Sequence, residues 1–308
     1  MTPQGILNVG KPTGSTSFQI VALVRRLSGV KKVGHAGTLD PIATGVLLVC
    51  LGQAVRVSEY LMELPKTYRG TVRLGVATDT YDAAGTPVFE GDVEPVSEEG
   101  LRAALEALER QEQQVPPSHS AVKVGGTPAY RLARAGRPVR LRPRKARIER
   151  IDLISFRPPL VEIEVRCGKG TYIRTLADDL GRLLSCGAHL QALRRTAVGP
   201  FSVEDAVSPE RLETAFADGT WQDLLLPLDY GLGHIPTAYL DTEAERDVRR
   251  GCPLEADSPP FERLPDAQNG ERCRAYAEDG SFVAILRYDA DSSLWRPHKV
   301  FAPVDPAF

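Results

Sequence analysis

The chain has 308 residues, 42% of them hydrophobic and 25% charged, the balance of a soluble globular protein of about two domains. No apolar run approaches the ~20 residues of a membrane span, and the stretch from Met1 to Gly10 has no basic segment leading into an apolar core, so no secretory signal is expected. The formal net charge is −2 and the five cysteines (Cys50, Cys167, Cys186, Cys252 and Cys273) include no C-x-x-C pair, which argues against a zinc knuckle or a disulfide framework and for a reduced, cytoplasmic protein.

In chain order, Ile6, Leu7, Asn8 and Val9 predict a short strand ending at Gly10. Gly14 to Ser17 supply cap residues for a helix over 18–27 that Gly29 stops. The apolar run 46–51 is a buried strand or the start of a helix. Tyr68, Gly70, Val72, Leu74 and Val76 alternate with Arg69, Thr71, Arg73 and Gly75, a period of two that marks a strand with Tyr68 on its apolar face. Ser97 caps a helix whose Leu101, Ala104, Leu105 and Leu108 share one side. Val161, Ile163, Val165 and Cys167 alternate again until Gly168-Lys169-Gly170, and a helix follows with Leu176, Leu180, Leu183 and Leu184 facing the core. Within it Asp178 and Asp179 are expected as first-turn charges. Near the end, Asp279-Gly280 joins two strand-like segments, 273–277 and 281–287, as a hairpin turn. Strands and helices mix without a βαβ repeat, so the fold class is α+β with a mainly antiparallel mixed sheet. A catalytic domain over 1–233 and a small β unit over 234–308 are expected, with an insert of undefined structure at 255–269.

The charge is unevenly placed. Residues 121–150 hold ten basic side chains against Glu149 alone, a net of +9 that leaves −11 on the rest of the chain. An acidic body with one basic segment suits a directed contact with a polyanion, although a solvated arginine-rich loop has the same composition. Its arginines include Arg131, Arg134, Arg137, Arg140, Arg142 and Arg144.

Gly34-His35-Ala36-Gly37-Thr38-Leu39-Asp40-Pro41-Ile42-Ala43-Thr44-Gly45 has no periodicity, and its glycines bracket an imidazole and a carboxylate. Glycine lets backbone approach a ligand closely, and Pro41 restricts Asp40 to extended conformations; an ordinary Asp-Pro turn has the same letters. Gly10-Lys11-Pro12-Thr13-Gly14-Ser15-Thr16 has the flavour of a phosphate loop but lacks its glycine spacing, leaving Lys11 as a structural residue or a phosphate contact. The five histidines lack the paired spacing of a metal site.

Several blocks together resemble the TruB family of tRNA pseudouridine-55 synthases. They are Gly5-Ile6-Leu7 with Lys11-Pro12, the segment 34–45, Lys66-Thr67-Tyr68-Arg69, 75–82, Gln114-Val115-Pro116-Pro117 with Tyr130, the segment 168–176, and Cys186-Gly187-Ala188-His189-Leu190 through Leu193-Arg194-Arg195. They lie in family order across most of residues 5–200. The last seventy or so residues are similar, more loosely, to a PUA-like β-barrel RNA-binding domain. The resemblance implies a pseudouridine synthase fold, no cofactor or metal, and a tRNA substrate bound at its T arm and elbow, with the C-terminal unit on the acceptor stem; a monomer is expected. It also implies Asp40 as the catalytic aspartate, Arg174 as its partner, and Tyr68 as the ring stacked on the flipped base. His35 fills the space the base leaves, and Tyr172 and Leu193 line the pocket. From the residues alone, Tyr68 and Leu193 could equally be core. Two other functions share parts of this set: a non-catalytic RNA chaperone, which needs the basic arm but not Asp40, and a base-excising hydrolase, which needs a second acid such as Asp79 or Asp82.

Overall fold

A computed structural model describes residues 3–261, 264 and 266–303. Strand β1 (Gly5–Lys11) is followed by α1 (Ser17–Ser28), β2 (Val33–His35) and β3 (Ala43–Leu51), then by α2 (Ser58–Glu63) and β4 (Lys66–Leu74). A hairpin, β5 (Val76–Thr78) and β6 (Pro87–Glu90), leads to α3 (Glu98–Glu109) and β7 (Gln113–Gln114). The basic segment holds β8 (Lys123–Val124), β9 (Thr127–Pro128), α4 (Ala129–Arg134) and β10 (Arg144–Lys145). Next come β11 (Ile148–Arg157), β12 (Leu160–Cys167), α5 (Ile173–Leu183), β13 (Ala188–Val198), β14 (Phe201–Ser202) and α6 (Pro209–Ala217). The last strands and helix are β15 (Thr237–Leu240), α7 (Thr242–Arg250), β16 (Leu254–Glu255), β17 (Arg272–Ala277), β18 (Phe282–Asp289) and β19 (Leu294–Val300).

Local chemistry explains most of these boundaries. Thr16 accepts from the Gln19 backbone while Gln19 reaches back to Thr16, a capping box that starts α1, and Gly29 ends it at φ 66°. Ser97 caps α3, whose Leu101, Ala104, Leu105 and Leu108 are all buried, each leucine contributing about 2 kcal/mol by leaving water. In α5 the apolar pattern is only partly obeyed: Leu176 and Leu180 are buried, but Leu183 is 53% exposed. The helix begins five residues before Asp178, so Asp178 and Asp179 are not first-turn charges. Asp178 is buried and pairs with Arg182 at 2.8 Å, one turn on.

The main sheet runs β1-β3-β13-β4-β12-β11, antiparallel except where β13 lies parallel to β3. One core, including Val9, Leu47, Val72, Ile163 and Leu176, joins α1, α3, α5 and α6 to the sheet. The pairing of β13 is unequal, and this shapes the molecule. It pairs with β4 from Ala188 to Val198 but with β3 only over Leu193 to Arg195. The two halves of the sheet part at the start of β13, and loops fill the space. Leu190 takes the loop after β5 as a partner, through Leu190 N to Tyr81 O and Ala83 N to Leu190 O, both 3.0 Å. The segment before β3 turns over the gap from the other side, with Gly14 N donating to Pro41 O at 2.8 Å.

The C-terminal strands form their own sheet, ordered β15-β17-β18-β19-β16, around a stacked pair of Phe261 and Trp295. Gly280, at φ 81°, makes the expected turn between β17 and β18. The 255–269 segment contributes Phe261 to this core, while its Glu262, Arg263 and Pro265 lie outside the described residues. This unit is not packed alone. Ile285 and Phe301 share a second core with Leu48, Tyr60, Leu61 and Phe201, and Lys299–Glu59 at 2.9 Å and Arg272–Glu63 at 2.8 Å cross the same junction.

Candidate active site

Where the sheet parts, the loop before β3 presents Asp40. Its backbone is fixed on both sides: Asp40 O accepts from Ala43 N at 3.0 Å, and Ser17 Oγ bonds both the N–H and the carbonyl of Leu39, at 2.8 and 3.0 Å. Gly37 at φ 104° and Gly45 at φ 100° bound the loop. A Cβ on Gly45 would lie 2.2 Å from the Arg195 carbonyl oxygen, so only glycine lets β3 run this close to β13.

Arg174 enters from the opposite side, on the first turn of α5. Its Nε lies 2.9 Å from Asp40 Oδ2, with the Arg174 side chain 6% exposed and that of Asp40 38% exposed. The carboxylate is thus partly open while its cation is buried. The same guanidinium is 3.6 Å from Asp82 Oδ2 and donates to Thr80 O at 3.4 Å and His119 O at 3.1 Å. Asp82 is itself buried and accepts from Thr80 Oγ1 and Ala84 N. One planar cation therefore sits between two carboxylates and two carbonyls, a geometry that suits guanidinium and not ammonium. The N-terminus of α5 has no side-chain cap of its own. Instead buried Gln114 accepts from Tyr172 N at 2.9 Å and donates to Tyr172 O at 3.4 Å.

Asp82 and Asp79, the candidate second acids of a hydrolase, are both occupied within their loop. Asp82 is held by Arg174, and Asp79 Oδ1 accepts from Thr86 N at 2.8 Å.

Two further cations brace the Asp40 loop. Arg195 is 1% exposed and donates through Nε to Val46 O at 2.7 Å, and through its two other nitrogens to Thr38 O at 3.4 Å and Gly37 O at 3.2 Å. Lys11 is also 1% exposed, and its ammonium points at the carbonyls of Pro12, Ser15 and Pro41 at 2.8, 2.7 and 3.5 Å. Of the two readings the sequence leaves for Lys11, this geometry fits the structural one: its ammonium donates to backbone carbonyls and holds the chain beside Asp40. Burial pulls its pKa down to about 8, against the attraction of Asp40.

His35, half-buried on β2, has an Nδ1 with no hydrogen-bond partner among the described residues. Burial, reinforced by the charge of Arg195, pushes its pKa below the usual range, which favours the neutral ring. Tyr68 lies on β4 directly across from Arg195 of β13 and packs on the edge of the main core. Burial raises its phenol, and Arg195 opposes that rise. Tyr172 is half-buried with its phenol also raised by burial, and Leu193 is 8% exposed. A cleft of about 770 Å³ opens over the parting of the sheet, with Pro41, Ile42, Thr44, Ala83, Leu193 and Arg194 in its walls, within the size range of small-molecule pockets.

The basic segment stands apart from this centre but is rooted in it, since His119 O is a ligand of Arg174 and Gln114 pairs with Arg144 across β7 and β10. Arg131, Arg134, Arg137, Arg140, Arg142 and Arg144 are all exposed or half-buried, and none appears in an ion pair among the described residues. Arg131 and Arg134 flank the Tyr130 ring at 5.9 and 5.8 Å.

Asp82, Arg195 and Gln114 were absent from the sequence-derived site. The signal for Arg195 was present: it shares the buried phase of β13 with Leu193, with exposed Arg194 between them, and a cation in a buried phase needs a reason.

Comparison with known proteins identifies the family. Residues 25–173 match the N-terminal domain of TruB family pseudouridylate synthases, and residues 174–233 match the tRNA pseudouridylate synthase B C-terminal domain. The chain is 41% identical to the tRNA pseudouridine synthase B of Dehalococcoides mccartyi, over 98% of both chains. It is 44% identical to that of Pseudomonas aeruginosa, over 94% of this chain and 93% of that one. Among solved structures, a crystal structure of a Cbf5–Nop10–Gar1 complex contains a chain of similar fold, with a TM-score of 0.76 at 26% identity, covering 97% of this chain and 85% of that one. The mixed, mainly antiparallel sheet is thus that of the pseudouridine synthase fold, and the chain belongs to the TruB family of pseudouridylate synthases.

Proposed function

We infer that this enzyme isomerises uridine to pseudouridine at position 55, in the T loop of tRNA, with Asp40 as the catalytic carboxylate. The observation that carries the assignment is a partly open Asp40 carboxylate held at 2.9 Å by a buried Arg174 beside a cleft between the halves of the sheet. The reaction breaks the N1–C1′ bond and forms a C5–C1′ bond on the same ribose, so the freed uracil must be kept and turned. An ionised carboxylate can serve as nucleophile at the sugar or base, or as the proton acceptor. Arg174, at 2.9 Å, holds the carboxylate and aims it.

The target base must leave its stack, at a cost of a few kcal/mol. Tyr68 offsets about 1–3 kcal/mol of this by stacking on it, Leu193 from the wall of the cleft and Tyr172 from the start of α5 contact the uridine, and His35 occupies the space vacated in the loop. The six arginines of the 121–150 arm clamp phosphates, and the C-terminal unit, residues 234–308, adds contacts to the acceptor stem. Product analysis of a T-arm hairpin tests this: pseudouridine is expected. Unchanged RNA would leave only a binding or chaperone role, and an abasic ribose would mean a hydrolase.

A further inference from the structure

A buried guanidinium without a carboxylate partner is costly, because the protein must replace the water it loses with dipoles alone. Among the described residues Arg195 is such a group: 1% exposed, bonded through its side chain to the carbonyls of Val46, Thr38 and Gly37. Those carbonyls lie on both sides of Asp40. Gly37 and Thr38 precede it in the loop, and Val46 follows it on β3. The Arg195 backbone, meanwhile, is the parallel partner of Gly45 and the antiparallel partner of Tyr68. One residue thereby touches the loop that carries the carboxylate, the strand that follows it, and the strand that carries the aromatic ring.

We propose that Arg195 is a positioning residue of the reaction, whose fork fixes the Gly37–Thr38 turn and so sets the distance between the Asp40 carboxylate and the face of Tyr68. The inference rests on Asp40 and Tyr68 having the roles given above. The fork matters more than the charge. Nε serves Val46 while the outer nitrogens serve the loop, and an ammonium is a single point that cannot hold two carbonyl groups apart. Lys11, whose Nζ gathers Pro12, Ser15 and Pro41, braces the far end of the loop and does not replace this spacing.

The test compares Arg195→Lys, Arg195→Ala and Asp40→Asn on a T-arm hairpin, measuring melting temperature, RNA affinity and single-turnover pseudouridine formation. Arg195→Lys keeps the charge and is expected to fold and bind RNA within a few-fold of wild type. Its rate should fall by about 100-fold, the scale of a 1 Å misplacement. Added guanidinium ion should restore part of the rate of Arg195→Ala without changing its affinity. A wild-type rate in Arg195→Lys would overturn the proposal while leaving Asp40 in place, whereas turnover by Asp40→Asn would overturn the underlying assignment instead. Loss of folding in both Arg195 variants, or rate losses that only follow loss of melting temperature and are not rescued by guanidinium, would reduce Arg195 to a structural residue and overturn it as well.

Discussion

Arg174 Nε is 2.9 Å from Asp40 Oδ2, while the far side of the same guanidinium is 3.6 Å from Asp82 Oδ2. The aim of the open carboxylate therefore depends on a cation whose own position depends on a second, buried carboxylate. Arg174→Lys cannot hold both, and its turnover is expected to fall by about 100-fold with RNA affinity within a few-fold. Asp82→Asn keeps the shape and removes one charge, so it should show the same pattern more mildly. Steady-state and single-turnover assays on one hairpin separate rate from binding; an affinity loss that accounts for all of either effect would place these residues in RNA contact instead.

Tyr68 separates stacking from hydroxyl chemistry. Tyr68→Phe keeps the ring, so RNA capture should stay close to wild type, and Tyr68→Ala should lose about 1–3 kcal/mol of it. Equal affinities for all three proteins would exclude stacking. A Phe variant that binds but does not turn over would assign the phenol a chemical step.

The arm is expected to act on affinity alone. Replacing Arg131, Arg134 and Arg137 with alanine should weaken binding and lower the slope of log affinity against log salt by about one for each phosphate no longer neutralised. The single-turnover rate at saturating enzyme should not change. An unaltered salt slope would remove the arm from phosphate binding.

Lys11 carries a pH signature. Its folded pKa, lowered to about 8 by burial, lies below the ordinary value of 10.5. The folded state therefore binds fewer protons than the unfolded state between these limits, and stability rises with pH across that window. Below pH 8 the full cost of burying the charge is present. Against Lys11→Met, which has no such proton, the wild type should gain melting temperature from pH 8 to about 10.5. A pH-independent difference between the two would mean that Lys11 is not buried as a cation.

Truncation after residue 233 should lower the melting temperature as well as RNA affinity, because it strips His298 and Arg272 from the buried Tyr60 and removes Ile285 and Phe301 from the core they share with it. A truncated enzyme of unchanged stability would contradict that shared core. Local patterning could not reveal the junction: the hairpin at Asp279-Gly280 is written in adjacent residues, but the burial of Phe301 against Phe282 and its packing partners in the other unit is not.

The same contrast runs through the site. The α3 stripe, the β4 and β12 alternations and the α1 capping residues are local, and each is legible with its boundaries nearly in place. Asp40 and Arg174 are legible as a pair only through the resemblance, since they stand 134 positions apart in the chain. Asp82 is visible only as a rival acid, because its partner on α5 is supplied by tertiary structure. Lys11 resembles a phosphate ligand because sequence shows its type but not its burial. Leu183 and the Asp178-Asp179 pair mislead for a related reason, because the bounds of α5 are not written locally: Leu183 shares a face with Leu176 and Leu180 but is the helix's last residue, and Asp178 lies past its first turn.

The most direct test of the account is pseudouridine formation by Asp40→Asn on a T-arm hairpin, with affinity for the same RNA measured alongside. Asparagine preserves size and can still face Arg174 but offers no ionised oxygen. The variant is expected to fold, bind the hairpin within a few-fold of wild type, and form no pseudouridine. Turnover close to wild type would contradict the assignment of Asp40 as the catalytic carboxylate.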